Sequence, residues 1–165
     1  MTLLYIELGG GDGPLYHPNY DARPIANVDK VVDLSRDYVI HGILFGPLYD
    51  LADFSVDGIF TSHFLEHIDR ASAERLLKDC YRVLKVGGWI KIIVPDMKYI
   101  VKVYTENGLT FRLYELLYGQ QKHAFDYHMN VFDFQSLSKL LTQVGFSKIT
   151  PFERNPDEVC VVASK

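Results

Sequence analysis

The stretch Tyr5-Ile6-Glu7-Leu8-Gly9-Gly10-Gly11-Asp12-Gly13 carries an apolar strand directly into a glycine cluster, with one acid inside it and no basic residue nearby. Consecutive glycines let the backbone turn sharply and approach a ligand that a Cβ would hold off. A loop that grips pyrophosphate gains from positive charge and a helix N-terminus, and Asp12 offers the opposite. The expected guest is therefore nucleoside-like, and neutral or cationic where it meets the loop. S-adenosylmethionine, a sulfonium without phosphate, meets that description. Glu7 is an acid on an otherwise apolar strand, and burying it without a partner is costly. Its expected partner is the cofactor's ammonium or a loop N–H, with pairing to Lys30 or an arginine as the alternative.

Outward from this strand, Asn19 to Arg23 reads as a brief extended piece closed by Pro24, and Lys30 to Leu34 as a further strand. Residues 35–54 mix glycine, proline and aromatics without a clear period. Val56 to Ser62 is a strand candidate. After it, Leu76, Leu77, Cys80, Val83 and Leu84 repeat at three and four residues and predict an amphipathic helix. Asp69 is its expected cap, Lys85 suits its negative end, and Gly87-Gly88 is its expected stop. Trp89 to Val94 is the next strand, so a parallel crossover is the default connection. Met97 to Glu106 and Phe111 to Tyr118 predict two short helices. A polar segment through Asn130 follows, and then a helix over Leu137 to Val144, capped by Asp133 and stopped by Gly145. Phe146 to Thr150 and Glu158 to Ala163 predict an antiparallel pair.

At 165 residues the chain suits one domain with a sizeable core. Its formal charge of -4 lacks the basic footprint of a nucleic-acid binder. No apolar run approaches the roughly 20 residues that span a bilayer. The start reads as a first strand, not a leader. Cys80 and Cys160 lack metal-ligand spacing and read as buried hydrophobes in a reducing, cytoplasmic setting.

The sequence resembles the class I S-adenosylmethionine-dependent methyltransferases. Within them it is most similar to small bacterial members found among cell-surface glycan and secondary-metabolite genes. The matching pieces run in family order: Glu7 to Gly13, Asn19-Tyr20-Asp21, Val32-Asp33-Leu34 and Ser55 to His67. They continue through Tyr81 to Trp89, Val94-Pro95-Asp96, Tyr118-Gly119-Gln120 and Val144-Gly145-Phe146. The most specific are Leu65-Glu66-His67 and Arg82-Val83-Leu84-Lys85-x-Gly87-Gly88. The resemblance implies a Rossmann-like α/β fold with a seven-stranded, mostly parallel sheet of order 3-2-1-4-5-7-6, strand 7 antiparallel. It implies one methyltransferase domain over 1–165, with 97–130 as a lid on the acceptor side. Two departures stand out. The interval from Gly11 to Asp21 is too short for the usual first helix, which is expected to be reduced, and Val86 replaces the usual proline.

For the cofactor, the resemblance points to Glu7, Gly9, Gly10 and Gly11, and to Ser62 and His63 at the end of the fourth strand. Asp21 is placed to accept from both ribose hydroxyls, with Asp29 as its rival if the strand is set later. Asp33, with the Leu34 backbone, is expected at the adenine edge. His63, His67 and His128 are candidate bases, since imidazole titrates near neutrality, and His123 lies in the same irregular segment as His128. The expected reaction is methyl transfer to a small-molecule or glycan acceptor, without a resident metal; a homodimer stays open. A catalytically silent cofactor-binding subunit that needs a partner is the alternative. His63-x-x-Glu66-His67 also fits a zinc-peptidase pattern, which requires both imidazoles on one helical face.

Overall fold

The structure, a computed structural model, describes residues 5–9, 26–27, 48, 51–122 and 126–165. In chain order the elements are strands β1 (Tyr5–Leu8), β2 (Ala26–Asn27) and β3 (Val56–Ser62), then a short 3-10 turn (Leu65–His67). Helix α1 (Arg70–Val83) and strand β4 (Leu84–Pro95) follow, then helices α2 (Met97–Asn107), α3 (Phe111–Tyr118) and α4 (Phe134–Val144). Strands β5 (Ser147–Pro151) and β6 (Glu158–Ser164) close the chain. Among the described residues six strands form one sheet in the order β2-β1-β3-β4-β6-β5. β2, β1, β3 and β4 run parallel, while β6 runs antiparallel to both β4 and β5. The expected strand at 30–34 and the shortened first helix lie outside the described residues.

Side-chain alternation gives the sheet two different faces. On one, Ile6, Leu8, Ile59 and Ile92 join the apolar stripes of α1 and α4 in the main core. α1 contributes Leu76, Leu77 and Cys80, each at most 1% exposed. Burial of each leucine stabilises the fold by roughly 1.5–3 kcal/mol. On the other face Phe60, Ile93 and Cys160 form a small cluster with Phe152 against it. Ile100, Leu113 and Leu116 pin α2 to α3 as a separate packing unit. Both cysteines are buried free thiols, and burial pushes them up, Cys160 to about 11. Among the described residues no helix is long and apolar enough to cross a membrane.

Capping follows the sequence closely. The Asp69 carboxylate accepts from the backbone N–H groups of Ala71 and Ser72 at the start of α1. Asp133 and Ser136 form a reciprocal capping box on α4. Gly108, Gly119 and Gly145 end α2, α3 and α4 as expected.

One expectation is corrected. α1 stops at Val83 instead of running to Gly87-Gly88. Leu84 is already extended (φ -64°, ψ 138°) and pairs with Val56 of β3, which buries it completely. Lys85 therefore serves no helix end; its ammonium lies 2.8 Å from both carboxylate oxygens of Asp57. The strand beside β1 is seen at Ala26–Asn27, with Ile6 level with Ala26 and Glu7 with Asn27. The piece proposed at 19–23 lies outside the described residues.

Candidate functional site

The parallel strands deliver their carboxyl ends to one edge of the sheet, where open α/β sheets bind ligands. β1 ends at Leu8, level with Thr61 of β3, and the chain then turns at Gly9 with φ +81°. A Cβ on Gly9 would stand 2.5 Å from the Cβ of Phe64, so only glycine fits between the two strand ends. Ser62 and His63 leave β3 beside this turn. His63 has φ 50°, and its backbone N–H donates to the Ile93 carbonyl at 2.9 Å. Glu7 lies on β1 with its backbone level with Asn27 and Phe60. Gly10, Gly11, Asp21, Asp29, Asp33, Leu34 and His123 lie outside the described residues.

His63 bridges two carboxylates. Its Nδ1 is 3.2 Å from Glu66 Oε1 and its Nε2 is 2.9 Å from Glu158 Oε1. The ring is 43% exposed while the two glutamates are 1% and 6% exposed. The hydrogen bond to Glu66 raises the His63 pKa, and Glu158 adds to it, against partial burial that lowers it. Arg154 stands beside Glu158 Oε2 at 3.7 Å and reaches Ser62 Oγ at 3.5 Å. Sequence reasoning missed Glu158 and Arg154. The available signal was an acid opening the otherwise apolar run Val159 to Ala163.

His67 and His128 meet on the other side of Glu66. Their rings are edge-on, with centroids 4.7 Å apart. His67 Nδ1 lies 3.2 Å from the Tyr127 carbonyl, and His128 Nδ1 lies 2.9 Å from the Leu116 carbonyl. Burial lowers the His67 pKa, so its neutral form dominates near neutrality. The backbone holds this meeting in place. The N–H groups of Met129 and Asn130 both donate to the Glu66 carbonyl, at 2.7 and 3.1 Å, and Asn130 Nδ2 donates to Ile68 O at 3.3 Å. The structure thus brings His63, Glu66, His67 and His128 together, although 60 or more residues separate the first three from the last.

The zinc-peptidase reading fails on geometry. His63 lies in a positive-φ turn before the 3-10 segment, so His63 and His67 share no helical face. Each imidazole faces different partners.

A Rossmann-like sheet whose last strand is antiparallel, with its glycine turn at the end of β1, has the fold of the class I S-adenosylmethionine-dependent methyltransferases. Residues 24–92 match the family model described as Methyltransferase domain, a stretch short of half the chain. A SAM-dependent methyltransferase from Archaeoglobus fulgidus superposes with TM-score 0.58 at 15% identity, covering 99% of this chain and 86% of that one. A SAM-dependent methyltransferase from Thermotoga maritima gives 0.57 at 18% identity, covering 98% and 82%. A chain from the complex between the Haloferax volcanii Trm112 methyltransferase activator and a methyltransferase gives 0.57 at 12%, covering 98% and 81%. Comparison with curated proteins finds no match.

Proposed function

We propose that the chain is a methyltransferase that transfers the methyl group of S-adenosylmethionine to a small-molecule or glycan acceptor. A bacterial cell-surface glycan or a secondary metabolite is the favoured class. The observation that carries this reading is the Gly9 turn, closed to any Cβ, at the carboxyl end of β1 beside Ser62 and His63. Glycine there lets β1 end in a sharp turn against Phe64, at the edge where open α/β sheets bind ligands.

S-adenosylmethionine, when bound, supplies an activated methyl group on a sulfonium. Glu7, Gly9, Gly10, Gly11, Ser62 and His63 are the residues proposed to hold it. For the ribose the register now favours Asp29 over Asp21. β2 runs parallel to β1 through Ala26–Asn27, and Asp29 follows that pair by two positions in the sequence. Asp33 and Leu34 are proposed for the adenine.

Segment 97–130 is proposed as the acceptor-side lid. Exposed rings of Tyr114, Tyr118 and Tyr127 support it, as does the strapping of residues 127–130 across Glu66 to Ile68. Activation of the acceptor falls to the His67–His128–Glu66 group. His63 has both ring nitrogens engaged by carboxylates, so it serves as a brace between the ends of β3 and β6. Alignment of acceptor and donor in a dry cleft supplies most of the remaining acceleration.

One structural neighbour was solved with an activator protein, which keeps the partner-dependent reading in view. Calorimetric titration with S-adenosylmethionine, followed by methyl-transfer assays on glycan and small-metabolite panels, separates the two. Binding with turnover supports the enzyme. Binding without turnover on any acceptor supports a subunit that needs a partner.

A further inference from the structure

We propose that Glu66, His67 and His128 hold a divalent transition-metal ion of the zinc type. One carboxylate oxygen of Glu66 and one ring nitrogen of each histidine lie within 4.8 Å of one another. The three come from two separate pieces of chain, the 3-10 turn after β3 and the segment following α3, tied together by backbone hydrogen bonds.

The hydrogen bonds determine which atoms are available. A carbonyl oxygen only accepts, so the contacts to Tyr127 O and Leu116 O require Nδ1 of both rings to carry the proton. In the neutral rings Nε2 is then a bare lone pair. This is the outer-shell arrangement that orients metal-ligating histidines, with the second nitrogen donating to a backbone carbonyl. Glu66 Oε1 is engaged by His63, while Oε2 is buried without a hydrogen-bond partner. A buried carboxylate oxygen without a hydrogen-bond partner and two imidazoles, gathered within 4.8 Å, form a site that a cation would stabilise.

Two imidazoles and one carboxylate suit zinc and its first-row neighbours better than magnesium or calcium, which prefer all-oxygen shells. Ligand bonds near 2.0–2.2 Å imply donors drawn closer together than the 4.8 Å envelope. Side-chain rotation on a backbone already held by the Met129 and Asn130 hydrogen bonds supplies that contraction. Three protein ligands leave a fourth position for an oxygen ligand, the pattern of catalytic sites. The acceptor's hydroxyl is the natural occupant, and in that role the inference rests on the methyltransferase reading. The ligand set itself does not.

The test uses the full chain, stripped with a chelator and dialysed. Titration with Zn2+ followed by calorimetry is expected to give one site per chain. Co2+ is expected to give the visible absorption of four- or five-coordinate cobalt. His67→Ala and His128→Ala are each expected to raise the Zn2+ dissociation constant by at least about 100-fold, beyond the effect of losing an outer-shell partner. Glu66→Gln is expected to weaken binding and alter the cobalt spectrum. Far-ultraviolet circular dichroism and S-adenosylhomocysteine binding report whether each variant is folded. Failure of the stripped wild type to take up one equivalent of Zn2+ overturns the proposal, as does Zn2+ binding that survives the double variant His67→Ala/His128→Ala. Either result leaves S-adenosylhomocysteine binding, and so the methyltransferase reading, to stand on its own measurement.

Discussion

Replacing Gly9 by alanine separates two effects that usually arrive together. An alanine at φ +81° takes up a backbone conformation that L-residues avoid, a penalty of about 1–2 kcal/mol. Its Cβ would also lie 2.5 Å from Phe64 Cβ and 2.7 Å from Phe64 Cγ and Cδ2, where carbon pairs prefer about 3.5–4.0 Å. Phe64 is buried, so it must move by about 1 Å within packed surroundings, which costs a further roughly 1–3 kcal/mol. The total is about 2–5 kcal/mol. Gly87 is the matched control. It has the same φ of +81°, and nothing lies within 4 Å of the Cβ it lacks. Gly87→Ala therefore carries only the conformational part, about 1–2 kcal/mol. Urea unfolding of wild type and both variants, followed by circular dichroism, measures the difference. Gly9→Ala is expected to be the less stable by about 1–3 kcal/mol and to bind S-adenosylhomocysteine more weakly even where fully folded. Equal stabilities for the two variants would refute the close approach of β1's turn to Phe64.

Asp133→Ala removes the capping box of α4 and is expected to lower stability by about 1 kcal/mol at pH 7. Hydrogen bonds from Ser136 hold the Asp133 pKa below its ordinary value. The cap's contribution is therefore complete above the unfolded carboxyl's pKa, near 3.9, and fades as pH falls through the lower folded value. Paired urea melts of wild type and variant should converge in acid; a gap that stays constant down to pH 3 would contradict this. Glu158→Gln withdraws one of the two carboxylates from His63, so the His63 pKa should fall toward its ordinary value while Glu66 retains part of the elevation. Imidazole proton shifts followed by NMR across pH 5–9, a window set around the usual histidine range, read this directly. An unmoved titration would show that the contact with Glu158 is absent in solution.

Local chemistry made much of the fold readable in advance. Asp69, Asp133, Gly108, Gly119 and Gly145 each act within a few residues of their position, so their capping roles follow from sequence alone. The parallel β3–β4 pair and the final hairpin follow from the spacing of apolar runs. The end of α1 did not, because its helical period continues through Leu84. The pairing of Leu84 with Val56 decides that boundary, and pairing is a tertiary fact. The site was readable residue by residue but not as a constellation. His63 and His67 sit four apart and invite a helical reading, which the positive φ at His63 breaks. Glu158 joins His63 from 95 residues away, and His128 joins His67 through hydrogen bonds to carbonyls, which carry no signature in side-chain identity.

The central claim is that the turn leaving β1 forms part of a site for the methyl donor. Isothermal titration of the purified chain with S-adenosylhomocysteine tests it most directly. Saturable binding at one molecule per chain, lost or strongly weakened in Asp29→Ala and retained in Asp21→Ala, is the predicted result. A folded protein that gives no heat with S-adenosylhomocysteine, or that binds a nicotinamide dinucleotide in its place, would contradict it.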